Sequence, residues 1–133
     1  MHKIMALDIG TKRIGIALSD YLQVIATPHS TIPRVPELKA IEMIINLAKE
    51  NRVEKIIVGV PINMDGSKGF QAQDCIDFSQ KILGFDIIQE DERLTSEEAE
   101  ERLRARKVDF RKNKGLVDME SAAIILEQYL SRK

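Results

Sequence analysis

Apolar positions fall in short blocks near the start of the chain and at helical spacing further on. Residues 3–9 and 13–19, rich in Ile, Leu and Ala and joined by a brief Gly-Thr-Lys connection, predict a β-hairpin. On the second strand Gly15, Ala17 and Ser19 share one face and Ile14, Ile16 and Leu18 the other, so the small-residue face leaves space for a close approach. Residues 24–32 read as a third strand, which Pro28 restricts to an edge or a bulge. Leu38, Ile41, Ile45 and Ala48 recur at helical spacing within a helix from Glu37 to Asn51. Residues 55–60, Lys-Ile-Ile-Val-Gly-Val, are continuously apolar after the lysine, as in a strand covered on both faces. A second helix over 70–83 carries Ala72, Cys75, Ile76, Ile82 and Leu83 as its stripe, with Gly84 as its C-cap. Residues 85–90 form another strand. Thr95-Ser-Glu-Glu has the capping-box pattern that opens a charged helix. The last helix covers 117–130, with Met119, Ala122, Ala123, Leu126 and Leu130 inward. The order β-β-β-α-β-α-β-α-α, three antiparallel strands and then strand–helix alternation, predicts an α/β fold with a mixed five-stranded sheet, helices packed on it, and a single domain over 1–133.

Three acids sit badly in this pattern. Asp8 lies inside the apolar run Ile4-Met-Ala-Leu-Asp-Ile9, where an unpaired carboxylate costs several kcal/mol or holds a proton. Asp91 and Glu92 follow directly on a strand. Asp118 opens an otherwise apolar helix, and Ala122 and Ala123 are small enough to let that helix lie close to a sheet and carry Asp118 towards Asp8. Carboxylates gathered from separate segments are what a hard divalent cation wants, with no His or Cys required. Each acid also has an ordinary explanation: Asp8 paired with Lys12 or Arg13, Glu92 at the surface, Asp118 as a helix cap.

Composition narrows the classes. The 133 residues are 44% apolar and 31% charged with a net charge of −1, which fits a globular protein and argues against a histone-like basic one. No apolar stretch reaches the roughly 20 residues that span a bilayer, and the N-terminus enters a strand with no secretory core. One cysteine, Cys75, excludes an internal disulfide and a cysteine-rich zinc site and fits a reducing cytoplasm. Charge is uneven: residues 90–101 are strongly acidic, 102–114 strongly basic. Glu98–Arg102 and Glu100–Arg104 are spaced for helical salt bridges. The loop from Arg106 to Gly115, basic and with one aromatic, suits a phosphate backbone.

Four blocks, Asp8-Ile-Gly-Thr-Lys-Arg-Ile-Gly-Ile-Ala17, Ile57-Val-Gly-Val-Pro-Ile-Asn-Met-Asp-Gly66, Asp91-Glu-Arg-Leu-Thr95 and Asn113-Lys-Gly-Leu-Val-Asp-Met-Glu-Ser-Ala-Ala123, resemble the YqgF/RuvX family in the right order over nearly the whole chain. The resemblance implies an RNase H-like fold akin to RuvC-type resolvases. It implies a metal-dependent nuclease acting in 5′-end maturation of pre-16S rRNA, with Mg²⁺ or Mn²⁺ on Asp8, Glu92 and Asp118 as catalytic triad. Lys12, Arg13, Asn63, Lys68 and Arg93 would line the substrate groove, and pre-rRNA, branched DNA and pre-ribosomal particles become candidate partners. Glu120 has the wrong spacing from Asp118 to share its role. The alternatives are a Holliday-junction resolvase acting on DNA and a non-catalytic RNA-binding ribosome-assembly factor. The Asp-x-Gly-Thr hairpin also resembles that of actin- and hexokinase-like ATPases, which need a second such domain.

Overall fold

The computed structural model describes residues 1–63, 65–92 and 95–132. Strand β1 (Lys3–Ile9) is the centre of a sheet ordered β3-β2-β1-β4-β5. It pairs antiparallel with β2 (Arg13–Ser19), which pairs antiparallel with β3 (Ala26–Pro33). On its other side it runs parallel to β4 (Val53–Pro61), and β4 runs parallel to β5 (Asp86–Glu92). Each parallel crossing is made through a helix: α1 (Glu37–Glu50) leads into β4, and α2 (Phe70–Ser79) leads into β5. Then follow α3 (Thr95–Ala105) and α4 (Gly115–Ser131).

The two-residue period of β1 divides the core. Met5, Leu7 and Ile9 join Ile14, Ile16, Ile44, Ile56, Val58 and Phe78 under α1 and α2. Ile4 and Ala6 join Ala17, Ile57, Ala122, Ala123, Ile125 and Leu126 under α4. Asp8 is next in the second series and therefore emerges on the α4 face, where the apolar packing stops. β4 is buried over Ile56, Ile57, Val58 and Val60, as its apolar run requires.

Pro28 does both things expected of it. β3 is an edge strand, and its register with β2 slips between the pairs Ile16–Ser30 and Ala17–Pro28, so the proline sits at an irregularity. The strand begins at Ala26 rather than 24, because the Asp20 carboxylate accepts the N–H groups of Val24 and Ile25 at 2.8 and 2.9 Å and bends them into a loop. α2 stops at Ser79 rather than 83. The chain tightens into i→i+3 bonds, Lys81 N–H to Phe78 and Ile82 N–H to Ser79, which turn Ile82 into the core and leave Leu83 exposed. Gly84 consequently serves the turn into β5, at φ +95°, and does not cap the helix. Leu38 is likewise exposed and not part of the α1 stripe, whose buried positions are Ala40, Ile41, Ile44 and Ala48.

Most of the charge on α3 is spent inside the fold. The Glu98–Arg102 and Glu100–Arg104 pairs form, at 3.5 and 3.8 Å. Arg102 also donates to both carboxylate oxygens of Glu127 on α4, and Arg106 binds the buried Glu120. Glu120 thus faces α3, away from Asp118, as its spacing required. Arg104 lies over the Phe110 ring at 5.5 Å, and Arg111 pairs with Asp109. In the basic loop that follows, Lys107, Lys112 and Lys114 make no ion pair among the described residues, whereas the arginines do. No helix among the described residues is long and apolar enough to cross a membrane.

Candidate active site

Asp8 stands beside Gly15 in the β1–β2 register, and one step beyond the Leu7–Val58 pair it comes abreast of Gly59 on β4. A central carboxylate with a glycine on each side is a cradle, and both glycines are there for a reason of space. A Cβ at Gly15 would stand 2.0 Å from the Asp118 carbonyl oxygen, so α4 lies with its backbone directly on β2. A Cβ at Gly59 would stand 2.6 Å from Glu92 Oε2 and 2.5 Å from Ile125 Cδ1. Glu92 is the last residue of β5 rather than a residue after it, so the strand itself aims the side chain at β4 and Asp8. Its neighbour Asp91 alternates to an exposed position and does not line the site.

Asp8 and Glu92 hydrogen-bond to each other. Burial, then the Glu92 charge and the Glu92 hydrogen bond, then the Asp118 charge push the Asp8 carboxyl well above the usual carboxylate range. Burial also raises Glu92, while hydrogen bonds from Thr95 and Asp8 pull it back. Both carboxyls are thus held above their ordinary range, Asp8 the more strongly, and the described residues set no Lys or Arg against either.

Asp118 comes to the same place. Asp8, Glu92 and Asp118 line one cavity of about 240 Å³ together with Thr11, Gln71, Asp74 and Ser96. The Asp118 carboxylate is nevertheless turned to Arg13, whose Nε donates to Oδ2 at 2.6 Å. With Asp118 so engaged, no three His, Cys, Asp or Glu side chains among the described residues surround a single point closely enough to cage an ion. The donor chemistry still fits a hard divalent cation: oxygen ligands only, two of them half-buried with no Lys or Arg set against them among the described residues, in a space kept clear by Gly15 and Gly59.

The other expected residues separate into groups. Lys12 and Arg13 border a cationic groove of about 360 Å³ with Thr31, Lys112, Asn113 and Lys114, which contains no acid. Asn63 and Lys68 belong to the loop after Pro61 and do not line the acidic cavity; Asn63 holds its own loop through Ser67 at 3.1 Å. Arg93 lies outside the described residues. Cys75 is buried, its Sγ directed at the Ile9 carbonyl, and burial pushes its thiol up to about 12, which makes it a packing residue and no nucleophile.

Sequence reasoning missed the clamp under the site. The buried Arg34 donates to both oxygens of Asp74 at 2.9 and 3.0 Å and to the Gly10 carbonyl at 2.9 Å, with its guanidinium 4.7 Å from the Phe78 ring centroid. It ties the turn after Asp8 to α2. Arg34 holds the Asp74 carboxyl below its ordinary range, so this pair stabilises the fold above the unfolded carboxylate pKa and ceases to do so as pH falls through the folded one. Arg34→Met is expected to cost about 1–3 kcal/mol at pH 7, the scale of charged hydrogen bonds lost around a carbonyl and a carboxylate. Urea midpoints should show that deficit shrinking as pH falls below about 4, where the variant protonates Asp74 first and the wild type follows at lower pH; a pH-independent deficit would assign the loss to packing on Phe78.

Comparison with known proteins follows the same lines. The family model RuvX, described as Holliday junction resolvase, matches residues 2–132. A protein of Halothermothrix orenii named "Putative pre-16S rRNA nuclease" is 44% identical over 132 residues, covering 97% of this chain and 94% of its own. One of Crocosphaera subtropica with the same name is 42% identical over 138 residues, covering 100% and 96%. Among solved structures, T. thermophilus RuvC in complex with a Holliday junction substrate superposes with a TM-score of 0.60 at 10% identity, over 99% of this chain and 96% of that one. At such identity the likeness bears on fold alone: it is the RNase H-like fold of the resolvases.

Proposed function

The chain belongs to the RuvX family, and from that premise we propose that it is a cytoplasmic nuclease, a single RNase H-like domain that hydrolyses phosphodiester bonds in 5′-end maturation of pre-16S rRNA with Mg²⁺ or Mn²⁺. The observation that carries this reading is the half-buried Asp8–Glu92 pair, both carboxyls raised, in a cavity that Asp118 also lines. Two acids set together partly away from solvent, with no counter-charge among the described residues, cost stability that a bound cation would offset.

Asp8, Glu92 and Asp118 would hold the ion. When bound, a divalent cation makes water easier to deprotonate and stabilises charge on the leaving oxygen. The residues around it prepare that state. Asp8 would ionise, its proton passing to solvent. Asp118 would leave Arg13 and turn into the cavity it already borders, and Arg13 would then be free for a substrate phosphate. Thr95 fixes one Glu92 oxygen and so orients the other. Lys12, Lys112 and Lys114 hold the strand through its phosphates in the groove beside Arg13.

Purified protein with precursor rRNA and Mn²⁺ is expected to yield cleaved RNA, and Asp8→Asn to yield none. The family model's description favours one competing reading, a resolvase, and a four-way DNA junction in the same assay separates the two: junction cleavage with intact rRNA would transfer the activity to DNA. Both substrates bound and left whole would reduce the protein to an RNA-holding factor on pre-ribosomal particles. Binding should also weaken with salt. Engagement of Lys12, Arg13, Lys112 and Lys114 gives a slope of log affinity on log salt near −3 for a single strand, at about −0.7 per phosphate. A slope near zero would remove the groove from the substrate path.

A further inference from the structure

Between the acids and the cationic groove lies another cavity, of about 450 Å³, lined by Arg13, Glu100, Phe110, Arg111, Lys114, Val117 and Asp118. It shares Asp118 with the acidic cavity and Arg13 and Lys114 with the groove, so it neighbours both. Its character differs from both. Phe110 and Val117 are half-buried and give it an apolar wall, and its size is that of a small-ligand site. Phe110 is backed by the Arg104 guanidinium at 5.5 Å, which fixes the aromatic ring. Charge in the slot is largely settled internally: Asp118 by Arg13 at 2.6 Å, Glu100 by Arg104 at 3.8 Å, and Arg111 by Asp109 at 3.2 Å. Lys114, at the boundary with the groove, has no ion pair among the described residues.

A flat apolar group carrying an anion suits this arrangement, set one step from a centre that cuts phosphodiesters. In a duplex the base faces are stacked and cannot reach an aromatic wall; in a single strand they can be splayed out and stacked on it. We propose that the Phe110–Val117 slot takes one unpaired nucleobase of a single-stranded segment adjoining the scissile phosphate, with Lys114 on the flanking phosphate. This inference rests on the nuclease reading for its substrate and adds selection for single strands, made by stacking rather than by charge. Glu100 at the rim is an acceptor for exocyclic amino groups, which adenine, cytosine and guanine carry and uracil lacks.

The test is binding without cleavage. The full chain in EDTA is titrated against a 12-nucleotide single-stranded RNA carrying 2-aminopurine and against the same sequence as a blunt duplex. The single strand is expected to bind more tightly and its fluorescence to be quenched by stacking. Phe110→Leu should lose about tenfold in single-strand affinity, the effect of removing one base–aromatic stack, together with the quenching, while duplex affinity stays as it was. Phe110→Trp should restore both, which separates stacking from damage to the loop. Lys114→Gln should weaken both nucleic acids alike. Equal loss for single strand and duplex in Phe110→Leu, or unchanged quenching, would overturn the slot and leave the nucleic-acid reading intact. Absence of binding to either RNA by the wild-type protein would overturn both.

Discussion

Asp8→Asn is expected to lower cleavage by about 10³-fold or more, the scale for removing one preorganised group that stabilises developing charge, while making the metal-free protein more stable. The two effects have one origin. Asp8 is half-buried and desolvated beside Glu92 with Asp118 nearby, so its folded-state pKa lies above its unfolded one. The folded protein then binds the proton more tightly than the unfolded chain, and stability falls as pH rises from the unfolded pKa, about 4, through the folded value. Asparagine cannot ionise and can still hydrogen-bond to Glu92, so the variant escapes that loss. At pH 7 it should melt several degrees above the wild type in EDTA, a gain on the order of 1–3 kcal/mol for relieving an uncompensated buried polar group. The difference should vanish well below pH 4, where wild-type Asp8 is protonated in both states. Added Mn²⁺ should reverse the order, raising the wild-type Tm in proportion to its occupancy and leaving the variant nearly unmoved. A variant no more stable than wild type in EDTA would show that Asp8 is already neutralised and would remove the physical argument for a cation there.

What could be read from the chain was whatever a local pattern records. A carboxylate inside Ile-Met-Ala-Leu-Asp-Ile is costly without tertiary information, and the small face of Gly15, Ala17 and Ser19 announced that something would lie against it. That something is α4, brought there by Ala122 and Ala123. Other parts depend on contacts between distant residues and leave no local trace. Arg13 and Asp118 are 105 positions apart, and nothing in either segment says that the arginine takes the carboxylate. The clamp of Arg34 on Asp74 and Gly10 is of the same kind, as is the pairing of Arg102 with Glu127 and of Arg106 with Glu120 on α4. Gly59 lies between. A glycine in a continuously apolar strand hints at a close approach, but only the sheet order shows that the approaching group is Glu92.

Those two glycines lead to the other large expected effect. Gly15→Ala places a methyl group 2.0 Å from the Asp118 carbonyl oxygen and 2.8 Å from the Met119 nitrogen, both backbone atoms of α4. Neither side can yield cheaply: β2 is held between β1 and β3, and the start of α4 is tied to β3 by the Thr31 hydroxyl, which donates to the Gly115 carbonyl at 2.7 Å. The helix must therefore lift off the sheet, opening the packing of Ala122, Ala123 and Leu126 and withdrawing Asp118 from Asp8. Overpacking of this kind costs about 3 kcal/mol or more, or roughly 10 °C in Tm at this chain length, and cleavage should fall with it. Gly59→Ala presses instead on the Ile125 Cδ1 and Glu92 Oε2 atoms, the ends of side chains that can rotate away. It should cost much less stability yet impair cleavage strongly, because the atom displaced is a carboxylate oxygen of the pair. If thermal melts and cleavage rates of the two variants fell in parallel, the glycines would be serving the fold alone; separation of stability from activity at Gly59 would mark the space beside Asp8 as part of the site.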